Sequence, residues 1–271
     1  MPFNKGDLIL ADYTAKLKDV GDVIETTYEE EAKRIGTHDP TRKYESSLIA
    51  VGEGWVLKGL DEAIQPSKVG DKLNIEVSPE KGFGVRDPNK LRLIPLRKFG
   101  DKAGELNIGD SVEVDNRLGI IRFVGSGRAQ IDFNHRYAGK TLTYDVHVVK
   151  KLELDSEKIV ALIRRRIPID VEKLKLDIAN KSAKIDLPED HYMLEGLQVL
   201  KRAVSNDVFR YVKNIVRVIF TETYNSNISD EETNPEKKIT KTDNVKKDDT
   251  SDASTTKGKI DTLTKQNSTS N

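Results

Sequence analysis

Residues 7–18, DLILADYTAKLK, alternate between apolar and polar positions. Ile9, Ala11, Tyr13, Ala15 and Leu17 share one face, and Asp12, Thr14, Lys16 and Lys18 share the other. That period predicts a strand with one buried side. The pattern returns at 71–77, with Leu73, Ile75 and Val77 inward, and at 141–149, with Leu142, Tyr144, Val146 and Val148 inward. Clean alternation predicts an antiparallel sheet with one wet face. Residues 56–64, VLKGLDEAI, switch to helical spacing through Leu57, Leu60 and Ile64, so a short helix is expected to cover the apolar face.

A different rhythm runs from about 86 to 132. Short strands are expected at 91–99, 111–116, 118–124 and 128–133, parted by turns at Gly109-Asp110, Asn116 to Gly119 and Gly125-Ser126-Gly127. The parent pattern resumes near 141, which marks a small all-β module inserted into a host domain. After Leu154, a helix capped by Asp155 or Ser156 is expected through Ile163, ending before Pro168. A hairpin over 173–187 turning near Asn180, helices at 189–204 and 206–213, and a strand at 215–224 complete a C-terminal α/β domain. Beyond Ser226 the chain is rich in Lys, Asp, Ser, Thr and Asn and holds no aromatic residue, so 226–271 is expected to be a disordered tail.

Charge narrows the function classes. Forty-five basic and 45 acidic residues cancel, so no global field steers the 271-residue chain to nucleic acid or an anionic membrane. The absence of cysteine excludes disulfides, thiolate nucleophiles and cysteine-based zinc sites. No apolar run marks a signal peptide or a membrane span, and a cytoplasmic protein is the expectation. The four histidines, His38, His135, His147 and His191, show no metal-ligand spacing, and no metal or cofactor is expected. GEGWVLKG at 52–59 lacks the Lys-Ser/Thr pair of a phosphate loop; its glycines mark a turn and a close helix approach. No GxSxG elbow supports a hydrolase. Arg164, Arg165 and Arg166 read as a solvated helix end; no aromatic residue interleaves them as a nucleic-acid platform would require.

What remains is a convergence of apolar and aromatic side chains: Tyr13, Val56, Leu57, Leu60, Phe83 between Gly82 and Gly84, and Tyr144. Spacing alone does not separate an ordinary core from a pocket open to water. Three stretches decide it: VGEGWVLKGLDEAI at 51–64, VGDKLNIEVSPEKGFG at 69–84 and FNHRYAGKTLTYDVHVVKKLE at 133–153. Together with Ile24-Glu25-Thr26, in this order, they resemble the FKBP family of prolyl isomerases over about residues 5–153. The module at 86–132 sits where SlyD-type and archaeal FKBPs carry their insert-in-flap chaperone domain. Residues 155–224 resemble the extra C-terminal domain of the longest archaeal members.

The resemblance implies an α+β fold, an antiparallel FKBP-type half-barrel sheet around a short helix, with an inserted β domain and a C-terminal α/β domain. It implies an isomerase domain of 1–85 plus 132–153, an insert of 86–131, a C-terminal domain of 154–225 and the tail. Carried over, Tyr13 lines the pocket wall, with Ile24 and Glu25 opposite. Val56 and Leu57 give the edge, the Leu57 N–H meeting a substrate carbonyl. Leu60 is the floor, Phe83 the rim and Tyr144 the back wall. His135 and Tyr137, in the neighbouring loop, are expected to contact substrate as well. Leu93, Ile94, Phe99, Ile120, Ile121 and Phe123 of the insert offer apolar contact to unfolded chain, although some must form the insert's own core. Leu60, Glu25 and Phe83 stand where Trp, Asp and Tyr are usual in eukaryotic members. The implied partners are unfolded proteins containing X-Pro bonds, with self-association through 154–225 and no nucleic acid or membrane. Two other readings are a holdase with little isomerase activity and a nucleic-acid-associated assembly protein.

Overall fold

A computed structural model describes residues 1–225. The first sheet joins β1 (Leu8–Leu17), β2 (Val23–Thr26), β3 (Ser47–Ala50), β4 (Lys72–Val77) and β9 (Leu142–Lys151). Its order is β2-β1-β9-β4, all antiparallel, with β3 sharing the outer edge of β1 with β2. A short helix α1 (Glu29–Arg34) follows β2. The register sets Tyr13 opposite Val146, Ala15 opposite Tyr144, and Ile75 opposite Tyr144 from the other side.

Helix α2 (Lys58–Ile64) covers the inner face with Leu60 and Ile64, both nearly without exposure. Helix and sheet meet at Gly59, where a Cβ would lie 2.8 Å from Val77 Cγ1. The expected helix over 56–64 therefore starts two residues late. Val56 precedes it and Leu57 is its N-cap, at φ −57°, ψ 142°. A buried carboxylate explains why: Asp61 on α2 accepts the backbone N–H groups of Gly52 at 2.7 Å and Gly54 at 3.0 Å. The GEG turn is thus tied to the helix, which leaves Val56 and Leu57 bridging the two.

The second sheet, order β5-β8-β7-β6, is antiparallel and lies between β4 and β9 in the chain. It contains β5 (Leu91–Pro95), β6 (Ser111–Val114), β7 (Arg117–Gly125) and β8 (Arg128–Asp132). The strand expected over 91–99 stops at Pro95, and Leu96–Gly104 forms 3-10 turns instead. Proline supplies no ladder N–H, which suits it to a strand end. Asp115 and Asn116, at φ 52° and 59°, close the β6–β7 hairpin in the left-handed region that a primed two-residue turn demands. Gly119, expected in that turn, instead lies inside β7, where a Cβ would come 2.4 Å from Ile131 Cγ2.

The third sheet has order β10-β11-β12, formed by β10 (Lys175–Ala179), β11 (Ser182–Asp186) and β12 (Arg217–Thr221). The hairpin turns at Asn180-Lys181, as expected. Helix α3 (Asp155–Arg166) is one turn longer than expected and its N-cap is Leu154, without a side-chain cap. Instead of two helices over 189–213, a 3-10 turn at Glu189–His191 precedes a single α4 (Leu197–Tyr211). Ser205, read as a break, donates its hydroxyl to the Lys201 carbonyl at 2.9 Å and stays within the helix.

One expectation about the first sheet fails at one end. Its outer face is wet where Lys16 meets Asp145 and Lys18 meets Glu76. At the other end Leu8, Ala50 and Leu152 are buried in a second core with Ile159, Leu162 and Ile163 of α3 and Val204 and Val208 of α4. Leu8 and Leu10 fall on the polar side of the alternation, and the LILA run that contains them is apolar on both faces. The disorder expected for 226–271 lies outside the described residues.

Candidate functional site: an aromatic cluster on the first sheet

Strands β1 and β9 each turn one tyrosine inward. Both rings are buried, with centroids 5.8 Å apart and planes tilted by 53°. The Tyr13 hydroxyl donates to Glu25 Oε1 at 2.9 Å. β2 is held in place for this contact because Thr27 Oγ1 accepts the Tyr13 N–H at 3.0 Å and the Thr27 N–H donates to the Tyr13 carbonyl at 2.9 Å. Burial, and then the charge and hydrogen bond of Glu25, push the Tyr13 phenol well above its usual range. Burial, with a smaller push from Glu25, raises Tyr144 to about 12. Both phenols are therefore neutral near pH 7.

Leu60 forms the base of the same cluster, and Ile24, Val56, Leu57 and Phe83 pack against it while half-exposed. Of the eight residues assigned to the pocket, seven belong to this one cluster, and Glu25 joins through Tyr13. The sequence reading missed Arg42, whose guanidinium lies 3.5 Å from Glu25. Its segment, 36–46, shows no periodicity to flag it.

Phe83 is set by the turn around it. The Gly84 N–H donates to the Pro79 carbonyl at 2.7 Å, and the Gly84 carbonyl accepts from Gly139 at 2.8 Å. That second bond draws the 133–140 loop alongside. His135 then stacks on Phe83 at 4.3 Å and 14°, and Tyr137 lies 5.5 Å away. The His135 Nδ1 accepts the Tyr137 backbone N–H at 3.3 Å, which fixes the ring on Phe83. Phe83 thus sits in a group of three rings with His135 and Tyr137, the two loop residues expected beside it.

The insert residues divide. Ile121 is fully buried and belongs to the insert's own packing, which removes it from the client-contact set. Ile94 and Phe99 pack on a small core around Val114, Ala129 and Ile131, and Ile120 is half-buried. Leu93 and Phe123 are 55% and 52% exposed. Both pair with Gln130 of β8, so they flank it on the sheet face turned away from that core. Leu118 and Ile108, not assigned from sequence, are exposed as well.

The arginine run closes the last turn of α3 partly exposed, as expected, but each side chain also has a partner. Arg164 pairs with Glu45, Arg166 Nε donates to Asp207 at 2.5 Å, and Arg165 lies 3.8 Å over the Trp55 ring. An open groove of about 750 Å³ lies around Asn74, Asp145 and His147 on the wet face and contains none of the assigned pocket residues. Among the described residues no helix is long and apolar enough to cross a membrane.

The first sheet thus brings Tyr13, Tyr144, Leu60 and their half-buried neighbours Ile24, Val56, Leu57 and Phe83 into one apolar, aromatic cluster, and among the described residues no group of side chains is placed to hold a metal ion. The chain belongs to the FKBP-type peptidyl-prolyl cis-trans isomerase family, whose model matches residues 2–149. A second model, FKBP26_C-terminal, matches residues 155–225. The chain is similar to the short-type peptidyl-prolyl cis-trans isomerase of Methanocaldococcus jannaschii, 33% identical over 153 residues, 56% of this chain and 96% of that one. It is also similar to the FKBP-type 16 kDa peptidyl-prolyl cis-trans isomerase of Escherichia coli K12, 32% identical over 40% of this chain and 74% of that one. The peptidyl-prolyl cis-trans isomerase SlyD of Haemophilus influenzae is 30% identical over 40% of this chain and 58% of its own.

Proposed function

We propose that the pocket walled by Tyr13 and Tyr144 binds the X-Pro peptide of unfolded client proteins and accelerates its rotation, while the insert holds the client nearby. The observation that carries this is the pairing of two buried, neutral tyrosines over Leu60, rimmed by Phe83. Rotation about X-Pro faces a barrier of about 20 kcal/mol and takes tens of seconds unaided. The planar amide is more polar than the twisted one, so water favours the ground state. A dry apolar site removes that preference, and can bind the twisted form better than either planar isomer. Each 1.4 kcal/mol gained this way is about tenfold in rate.

In this reading Leu60 seats the prolyl ring. Tyr144 backs it, Phe83 with His135 and Tyr137 closes the rim, and Ile24 faces Tyr13. The Leu57 N–H lies at the N-cap of α2, ahead of the helix's own ladder, and receives a client carbonyl. Glu25 orients the Tyr13 hydroxyl. Leu93 and Phe123 hold the client, joined by Leu118 and Ile108.

The chain divides accordingly into an isomerase domain (1–85 and 132–153), an insert (86–131) and a C-terminal domain (154–225) that supports self-association, in the long archaeal arrangement and in a cytoplasmic setting. The match of a separate model to 155–225 supports that division. Acceleration of a proline-limited refolding reaction by catalytic amounts of the protein tests the proposal. Unchanged refolding kinetics would leave a holdase at most.

A further inference from the structure

Against Tyr13 and Glu25 lies a cleft of about 470 Å³ whose opposite side the isomerase reading does not use. Tyr13 and Glu25 form its near wall, and Trp55, Ala161 and Arg165 its far wall. The far wall is thus built partly from α3, outside the sheet that carries the pocket. We propose that this cleft is a flanking subsite that takes the client residues next to the proline and favours acidic ones, a reading that rests on the isomerase function above.

Continuity is the first support. Tyr13 of the aromatic cluster and its hydrogen-bond partner Glu25 both line the cleft. Trp55 directly precedes Val56 and Leu57, the pocket edge, while its own ring packs the other way, edge-on to Tyr211 at 5.2 Å and under Arg165 at 3.8 Å. A peptide crossing the Val56-Leu57 edge therefore arrives at Trp55.

Charge is the second. The lining holds four cations, Arg42, Lys43, Arg164 and Arg165, against two carboxylates, Glu25 and Glu45. Glu45 is taken by Arg164, and Glu25 is 3.5 Å from Arg42. Lys43 reaches Asp170 at 2.5 Å. Among the described residues Arg165 meets no carboxylate within ion-pair distance; its guanidinium rests on the Trp55 ring and is exposed. The charge left uncompensated is positive, and a client Asp or Glu complements it. A guanidinium braced on an aromatic face is also pre-organised for a planar carboxylate.

The test uses Pro-centred peptides carrying Glu, Ala or Lys at both positions flanking the proline. Trp55 is the single tryptophan of the sequence, so its fluorescence reads occupancy of the cleft directly. At low salt the Glu peptide is expected to bind and exchange its cis and trans forms about two- to fivefold better than the Lys peptide, the size of one partly exposed ion pair. The gap should close at 1 M salt, where screening acts over roughly 3 Å. Arg165→Glu should reverse the order; the salt series on the unaltered protein stands if that variant misfolds. Equal affinities and equal exchange rates for all three peptides would overturn the subsite. Tighter binding of the Glu peptide without any accelerated exchange would support the cleft and remove the isomerase reading instead.

Discussion

Tyr144 faces Tyr13 on one side and pairs with Ile75 on the other, at 4% exposure. Truncation to alanine should cost roughly 3–5 kcal/mol of stability, because neighbours on both strands cannot collapse into the space. It should also remove most of the isomerase rate. Tyr144→Phe keeps the ring and should keep most of both. Chemical denaturation and a peptide isomerisation assay separate the two effects. A pH profile follows from the same pair. Both phenols have folded pKa values raised above the ordinary 10.0, so the folded protein retains protons that the unfolded chain gives up. The Tyr144 contribution to stability is complete below pH 10 and is lost as pH rises through about 12, and that of Tyr13, whose phenol is raised further, is lost at still higher pH. Thermal melts should accordingly be insensitive to these groups near neutrality and fall steeply across that alkaline window. The tyrosines were legible in the sequence because strand alternation fixes which side chains turn inward. Arg42 was not, because it approaches Glu25 from a loop whose path no local period encodes.

At the scale of elements, a compact polar knot ties together the two chain segments that lead into and out of the second sheet. Asp132, nearly fully buried, pairs with Arg86 on the ingoing strand connection and lies 3.4 Å from Arg122 of β7. Its carboxylate also accepts the Asn134 backbone N–H at 3.0 Å, and the Asn134 side chain donates to the Asp87 carbonyl at 3.0 Å. Burial alone would raise the Asp132 carboxyl, but the two Asn134 bonds and the arginines hold it below its usual value. Replacing residues 86–132 by a short loop should spare activity on a tetrapeptide and sharply reduce it on an unfolded protein. The second contact makes pocket entry intramolecular, at local concentrations that can approach about a millimolar. Equal losses on both substrates would mean that the insert shapes the pocket itself. The insert's strands were readable from its turn residues. Which of its apolar side chains face outward was not, because two faces of a four-stranded sheet are equally apolar in sequence until Ile94, Ala129 and Ile131 claim one of them.

For the whole molecule, the C-terminal segment matters most through what it covers. Leu8, Leu10, Leu48 and Ala50 of the first sheet pack into its core. A chain ending at 153 should therefore expose an apolar strip on the isomerase sheet and show a lower melting temperature or a tendency to associate. Removing only 226–271 should leave tetrapeptide activity unchanged, since every assigned pocket residue precedes it; a substantial loss would contradict that. This docking was the largest feature hidden in the sequence. The LILA run announces that both faces of β1 are apolar there, but a single strand does not say which distant helix will cover the second face.

The most direct test is exchange spectroscopy on a proline peptide, which follows cis and trans populations without a coupled protease. Catalytic amounts of the intact protein should produce fast exchange between the two forms. Folded Tyr144→Ala should return the rate close to that of the free peptide, while Tyr144→Phe should retain most of the acceleration. An exchange rate unchanged by the intact protein, or one equally fast with folded Tyr144→Ala, would contradict the assignment of the Tyr13–Tyr144 pocket as the place where the bond turns.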